Sequence, residues 1–248
     1  MKALIIYAHP EPKSFNGALK DLAVATLIGA GHQVQVSDLH AMRFNPVAGP
    51  DDIVGARVDP EFLRLQVEQR KAWEEGRLSP DIAAEQQKLL WCDLLILQYP
   101  MYWFSLPAIL KGWVDRVMTT GFVYGVGMRN ETGGLAGRRA MLSLTTGAPE
   151  SRFMADGLNG DIELNLFPIQ HGILRFVGFD VLPPFIAWSV GRVDEARRRA
   201  YLEQYRQRLL TLDRAKAMFF HRNDEYDETG RLKPGVAARS TFQRNLAR

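Results

Sequence analysis

The sequence predicts an α/β fold: a parallel sheet of five strands with helices on both faces. Three observations lead there. Apolar runs of the kind found in strands buried on both faces recur along the chain. Stretches with helical spacing separate them, so the strands are joined by crossovers and run parallel. The composition is that of an ordinary globular chain, with 46% apolar and 24% charged residues in 248.

Lys2–Ala8 contains the continuous run ALIIYA and reads as the first strand. Asn16–Ile28 follows with helical spacing and is stopped by Gly29 and Gly31. Gln33–Val36 is a short alternating second strand. Asp93–Gln98 (DLLILQ) is a third, buried one, and Pro107–Met118 a helix with proline in its first turn. Arg139–Thr145 (RAMLSLT) is the fourth strand, Asp161–Phe176 a largely apolar helix, Val181–Trp188 the fifth strand and Asp194–Leu210 the closing helix. Right-handed crossovers leave few topologies. The most economical is the flavodoxin-like, doubly wound order 2-1-3-4-5.

Two stretches exceed that minimal unit. Residues 38–92 form a long insertion after the second strand. It holds a helix at Pro60–Trp73 and a better-marked one opened by Ser79-Pro80-Asp81, with Ser79 as N-cap. Residues 213–248 form a polar C-terminal arm, either disordered or packed only on a partner. The domain proper is therefore residues 1–212. Neither extension can bury much surface alone.

Several function classes are excluded. Lys plus Arg exceed Asp plus Glu by 31 − 28 = 3. That excess is too slight for a nucleic-acid surface, and Arg197–Arg199 read as a solvated helix face. No apolar run approaches the roughly 20 residues of a membrane span. The start lacks the features of a secretory signal, so the expected location is cytoplasmic. Cys92 is the only cysteine. It allows no intrachain disulfide or C-x-x-C site and reads as an inert buried thiol. No metal site is expected. G-x-G-x-x-G and Walker lysine motifs are absent from the first strand's loop.

In such sheets a ligand binds outside the carboxyl ends of the strands, where the winding direction switches. Here that point lies between strands one and three. The loop after strand one, His9-Pro10-Glu11-Pro12-Lys13-Ser14-Phe15-Asn16, opens a helix whose free amides suit a phosphate. The plainer reading is that Ser14 caps the helix and His9 fills a turn. After strand three come Tyr99-Pro100-Met101-Tyr102-Trp103-Phe104, an aromatic platform for a flat ligand or an apolar cluster under a lid. After strand four come Thr145-Thr146-Gly147-Ala148, whose backbone a ligand edge can approach. An anion seat, an aromatic wall and a set of amide donors at one point suit an isoalloxazine with a phosphate-bearing tail.

These residues resemble the DT-diaphorase type of NAD(P)H:quinone oxidoreductase and the related bacterial modulator-of-drug-activity and potassium-efflux ancillary flavoproteins. The resemblance runs from Met1 to about Leu210. It rests on Ala8-His9-Pro10 with Ser14-Phe15-Asn16, Asp38-Leu39 with Phe44-Asn45-Pro46, and Gly76-Arg77-Leu78-Ser79-Pro80-Asp81-Ile82. Pro107-Ala108-Ile109-Leu110-Lys111-Gly112-Trp113 and Pro168-Ile169-Gln170 with Gly172-Ile173-Leu174 add to it. The arm's Asp227-Glu228-Thr229-Gly230-Arg231-Leu232-Lys233-Pro234 looks like bacterial members.

The resemblance implies a homodimer with two sites at the interface, each holding FAD, with FMN as the variant cofactor, and NADPH or NADH as hydride donor to a quinone through flavin N5; the insertion and the arm are assigned to that interface. It implies contacts to the flavin from His9, Ser14, Phe15, Asn16, Pro100, Met101, Tyr102, Trp103, Phe104, Thr145, Thr146, Gly147 and Arg198. Phe104, Tyr124, Met128 and Phe176 are implied on the substrate side. Trp103, Phe153 and Asn159 stand nearest the chemistry. The mammalian enzyme places a tyrosine and a histidine where Phe153 and Asn159 stand, and a further tyrosine at Val126. Phenylalanine donates no hydrogen bond and asparagine carries no proton, so a relay through 153 and 159 is not expected. The alternatives within the resemblance are an ancillary subunit of an ion-efflux system and an azo- or nitroreductase.

Overall fold

The computed structural model describes residues 1–239. Five parallel strands, β1 (Lys2–Tyr7), β2 (Gln33–Asp38), β3 (Leu94–Pro100), β4 (Arg139–Thr145) and β5 (Asp180–Ala187), lie in the order β2-β1-β3-β4-β5. Tyr7 pairs with Gln98, Pro100 with Thr145 and Thr145 with Ala187. The loops after β1, β3, β4 and β5 therefore leave from one edge, with the switch point between β1 and β3.

Side-chain alternation splits each apolar run between two cores. Leu4, Ile6, Leu95, Leu97, Leu142 and Leu144 face one side. There they meet Trp113 of α4 (Ala108–Val117) and Leu166 of α5 (Ile162–Ile169). Ala3, Ile5, Leu94, Ile96 and Met141 face the other, against Leu19, Ala23 and Leu27 of α1 (Phe15–Gly29). Tyr201, Tyr205 and Leu209 of α6 (Glu195–Leu210) complete that layer. Both faces are covered, which is why the strands read as unbroken apolar runs.

The insertion has its own small core of Ile53, Ala72, Leu78 and Ile82. Its helices are α2 (Leu65–Glu75) and α3 (Pro80–Trp91). α2 starts five residues later than the sequence predicts, because the Asp59 carboxylate accepts the amides of Glu61 and Phe62 and holds a turn there. Ser79 stands at the N-cap of α3, but its hydroxyl donates to Asp81 Oδ1 (2.6 Å) instead of capping the helix. Buried charge ties the insertion to α4. Arg116 Nε donates to Asp52 Oδ1 (2.8 Å), and its Nη1 reaches Asp81 Oδ2 (2.6 Å) and Asn45 O (2.9 Å). Trp113 Nε1 donates to Glu85 Oε2 (2.9 Å), and Glu85 is fully buried. At Gly112 an added Cβ would lie 2.2 Å from Pro46 O, so only glycine lets the Phe44-Asn45-Pro46 loop seat on α4.

Two further features differ from the sequence expectations. The single helix predicted over Asp161–Phe176 is α5 followed by a π-helix over Gln170–Arg175. Pro168 lacks an amide hydrogen and its ring crowds the carbonyl four residues back, which breaks the regular ladder and lets the next turn widen. The described part of the arm packs on its own subunit. Met218 N donates to Val181 O (2.8 Å), Asn223 N to Glu131 Oε1 (2.7 Å), and His221 is buried. Met218 and Phe220 gain burial against the β4–β5 side of the sheet. The rest of the arm's predicted range, 240–248, lies outside the described residues.

Candidate flavin site at the strand switch point

The first loop is closed by its own polar groups. Ser14 Oγ accepts from Gly17 N (3.2 Å) and caps α1. His9 Nδ1 lies 3.0 Å from Glu11 N and Glu11 O. These contacts hold the ring over the turn. The amides of Phe15 and Asn16, in the first turn of α1, have no acceptor within the helix. The capping reading and the anion reading hold together: Ser14 fixes the helix start whose remaining amides are the seat.

Asn16 does more than the sequence indicates. Its side chain is buried, with Nδ2 donating to Thr145 Oγ1 (2.8 Å) and Oδ1 accepting from Gln98 Nε2 (2.8 Å). One amide thus clamps the ends of α1, β3 and β4 together. Gln98 belongs to this clamp and was not predicted. The polar residue closing the run DLLILQ is the signal that marks it.

The loop after β3 carries the sharpest departure from ordinary packing. Met101 N donates to Thr145 O (2.9 Å) and extends the ladder one residue past the strand. Tyr102 and Ser105 then pair backbone to backbone and close a tight turn. Between them Trp103 (φ 49°) and Phe104 (φ 61°) both adopt the left-handed conformation. That conformation costs about 1–2 kcal/mol per non-glycine residue. The turn aims Trp103 into solvent, 95% exposed, with Tyr102 and Phe104 each 46% exposed. Pro100 is buried and Met101 half-buried at the root of the loop.

Phe104 meets Phe153 edge-on (6.2 Å between ring centres), and Phe153 meets Trp188 (5.5 Å). Phe153 is buried, so it supports the wall from behind. Trp188, in the loop after β5, was not predicted. Asn159 is half-buried. Its amide donates to Arg152 O (2.8 Å), and its carbonyl accepts from Asn165 Nδ2 (3.2 Å), so its backbone is pinned. Thr146 N donates to Ala187 O (3.1 Å) and Thr146 Oγ1 to Ala148 O (2.7 Å). An added Cβ at Gly147 would meet only open space, so a ligand edge can reach that backbone. Arg198 turns back from α6 and donates to Val193 O (2.6 Å), bracing the loop after β5.

Of the substrate-side residues, Phe104 stays on this wall against Phe153, and the other three gather elsewhere in the same chain. Tyr124 and Phe176 pack together (5.6 Å) and, with Gly172 and Ile173 of the π-helix, line a pocket of about 200 Å³. Met128 lies at the next turn, joined backbone to backbone with Gly125. Among the described residues no cluster of His, Cys, Asp or Glu could hold a metal ion.

A strand switch point with a helix-terminal anion seat, an amide-lined turn and an exposed aromatic wall defines a flavodoxin-type site. The model of the Flavodoxin-like fold family matches residues 1–209. NAD(P)H dehydrogenase [quinone] 1 of Rattus norvegicus is 44% identical over 226 residues, 91% of this chain and 82% of that one. Ribosyldihydronicotinamide dehydrogenase [quinone] of Pongo abelii is 46% identical over 211 residues, covering 85% and 91%. The crystal structure of a Klebsiella pneumoniae protein described as a candidate quinone reductase superposes with a TM-score of 0.92 at 42% identity over 97% of both chains. The chain belongs to the flavodoxin-like family, in its NAD(P)H:quinone oxidoreductase branch.

Proposed function

We propose that this protein is a flavin-dependent NAD(P)H:quinone oxidoreductase that works as a homodimer with FAD at each switch point. The observation that carries the reading is the Tyr102–Phe104 turn. It spends backbone strain to expose aromatic surface beside an accessible amide-lined turn and a capped helix N-terminus. The donor set fits a flavin with a phosphate-bearing tail: amides and a histidine at one end, a flat aromatic wall in the middle, and hydroxyls with open glycine backbone at the other. When bound, FAD supplies the redox chemistry, taking two electrons from NADH or NADPH and passing them to a quinone in a separate half-reaction.

The chain's own residues bind and orient. His9, Ser14, Phe15 and Asn16 hold the phosphate-bearing tail, and Arg198 stands toward the adenine end. Trp103 and Phe104, rooted in Pro100, Met101 and Tyr102, stack on the flat ring and keep water from it. The Thr145 hydroxyl and the open Gly147 backbone donate to the pyrimidine edge, while Thr146, its amide and hydroxyl engaged with Ala187 O and Ala148 O, holds the turn in shape. Phe153 has no proton to give and Asn159 cannot carry one, so fixed dipoles answer the charge that develops there. The Tyr124–Met128–Phe176 patch closes the slot of the partner subunit and admits either the nicotinamide or the quinone.

The insertion contributes the dimer interface. Val54, Val58, Phe62 and Val67 support this assignment, since all four expose apolar side chains on the insertion. Among the described residues no helix is long and apolar enough to cross a membrane. We place the enzyme in the cytoplasm, free of nucleic acid.

The test is anaerobic stopped flow on purified protein. NADPH or NADH bleaches the yellow absorbance, and a quinone restores it. A colourless preparation that gains no activity with added FAD or FMN overturns the reading. Extraction and mass measurement of the cofactor decides between FAD and FMN.

A further inference from the structure

On the face of the sheet covered by α1 and α6, inward side chains are apolar until the carboxyl ends and then turn polar. Ile96 is followed by Gln98 on β3, and Met141 by Ser143 and Thr145 on β4. Gln98 and Ser143 are register partners. Ser143 pairs with Phe185 on β5, and Phe185 stacks on Tyr205 of α6 with ring centres 4.5 Å apart. Gln98, Ser143 and Tyr205 are all fully buried.

Two bonds of this path are formed: Gln98 Nε2 to Asn16 Oδ1 and Asn16 Nδ2 to Thr145 Oγ1, both 2.8 Å. Three buried polar atoms on the same path lack a bonded partner among the described residues: Gln98 Oε1, Ser143 Oγ and Tyr205 OH. Burial drives the Tyr205 phenol's pKa far up, and the Ser143 hydroxyl beside it pulls partly the other way. The phenol therefore keeps its proton and faces Ser143. Each unpaired buried group costs about 1–3 kcal/mol, a strong drive to pair. Gln98 fixes the direction: its amide nitrogen is engaged with Asn16, and its free oxygen only accepts. A pairing that satisfies all three has Tyr205 donating to Ser143 and Ser143 to Gln98 Oε1.

We propose that Tyr205, Ser143, Gln98, Asn16 and Thr145 form one directional hydrogen-bond chain, with Tyr205 a positioning residue that sets how strongly Thr145 donates to the flavin. Thr145 Oγ1 accepts from Asn16, so its own proton is free to point out of the strand end. In the flavin reading, on which this inference rests, that proton meets the edge where negative charge gathers on reduction. Each donor polarises the next along such a chain. The chain therefore favours the reduced flavin over the oxidised one from a helix remote from the ring.

The experiment is a spectroscopic redox titration of the flavin-loaded enzyme against Tyr205→Phe and Ser143→Ala, with thermal unfolding of each. Both changes keep the side-chain body and remove only the hydroxyl. The expected result is an about 1.2- to 1.7-fold lower reduced-to-oxidised ratio at a fixed poise in each variant, since a chain passes on only about 10–30% of a bond's strength. The rate of flavin reduction falls with it, while KM for the quinone holds. A lower melting temperature with an unchanged potential overturns the proposal and leaves the residues as packing. If Tyr205→Phe fails to fold, Ser143→Ala decides by the same two readouts. A wild-type protein that binds no flavin overturns the flavin reading itself, and this inference with it.

Discussion

The loop after β3 and the insertion before it invert the usual distribution of polarity in opposite ways. The loop puts apolar groups outside: Trp103 at 95% exposure, with Tyr102 and Phe104 beside it. The insertion puts charge inside: Asp52, Glu68 and Glu85 are buried, and so is Arg116, the α4 residue that ties the insertion down. Inside the insertion every exception is answered. Asp52 has Arg116, Glu85 has Trp113, Ser37 and Lys88, and Glu68 accepts the amides of Val58 and Asp59. On the loop nothing among the described residues covers Trp103, and two left-handed residues keep it exposed. Compensated exceptions hold a fold together, whereas an uncompensated one that costs strain marks where a ligand belongs.

The largest effect falls on the compensated side. Arg116→Ala strands the Asp52 carboxylate in a buried site and removes the anchor for Asp81 and Asn45 O. Breaking a buried pair from one side costs about 3–5 kcal/mol. Urea unfolding of the variant, read by tryptophan fluorescence, checks this. The double variant Arg116→Met with Asp52→Leu is expected to lose less than the single one, because the buried carboxylate leaves with its partner and the Asp81 side chain, 42% exposed, keeps its water. A single variant within 1 kcal/mol of wild type, a figure set well below that range, shows that the network is ornament and that the contrast fails.

The next effect falls on the uncompensated side and leaves stability alone. Trp103→Ala removes a side chain that is 95% exposed. Unfolding free energy is expected to stay within about 0.5 kcal/mol of wild type, as for other exposed positions. Quinone turnover is expected to drop by about tenfold, the worth of one stacked aromatic contact. Unchanged turnover means that the wall faces nothing. A large stability loss means that it is core after all.

The same contrast explains what the sequence discloses. The strands are legible because burial on both faces leaves unbroken runs such as ALIIYA and RAMLSLT, and Arg139–Thr145 keeps its predicted bounds. The aromatic loop is legible because three successive aromatics suit neither a turn nor a core. The compensating partners are not. Asn16 and Thr145 are 129 positions apart and Arg116 and Asp52 are 64 apart, so nothing local pairs them. Glu85 and Gln98 read as ordinary polar residues until the fold brings Trp113 and Asn16 to them. The π-helix is a borderline case. Pro168 and Gly172 announce a disturbance, but its widened form depends on packing that periodicity does not carry. The arm's docking is hidden for a similar reason, since Met218 and Phe220 are too few to show a pattern.

The smallest effect is a pH dependence belonging to the insertion. Burial pushes the Asp81 carboxyl upward, but the Arg116 guanidinium and the Ser79 hydroxyl outweigh it and hold the group below its ordinary 3.8. A lowered folded value means that the unfolded chain takes up the proton first as pH falls. The Asp81 contribution is therefore complete above 3.8 and is lost as the pH drops from there through the lower folded value. Trp103 and Phe104 do not ionise, so the aromatic loop adds nothing to this limb. Urea midpoints at a series of pH values from neutral into the acid range are expected to fall in that window for wild type. Asp81→Asn is expected to be slightly less stable at neutral pH and to show a shallower acid limb, because its amide keeps part of the contact with Arg116 and does not titrate. An acid limb equally steep in both proteins assigns it to other carboxylates and removes the insertion's electrostatics from that side of the comparison.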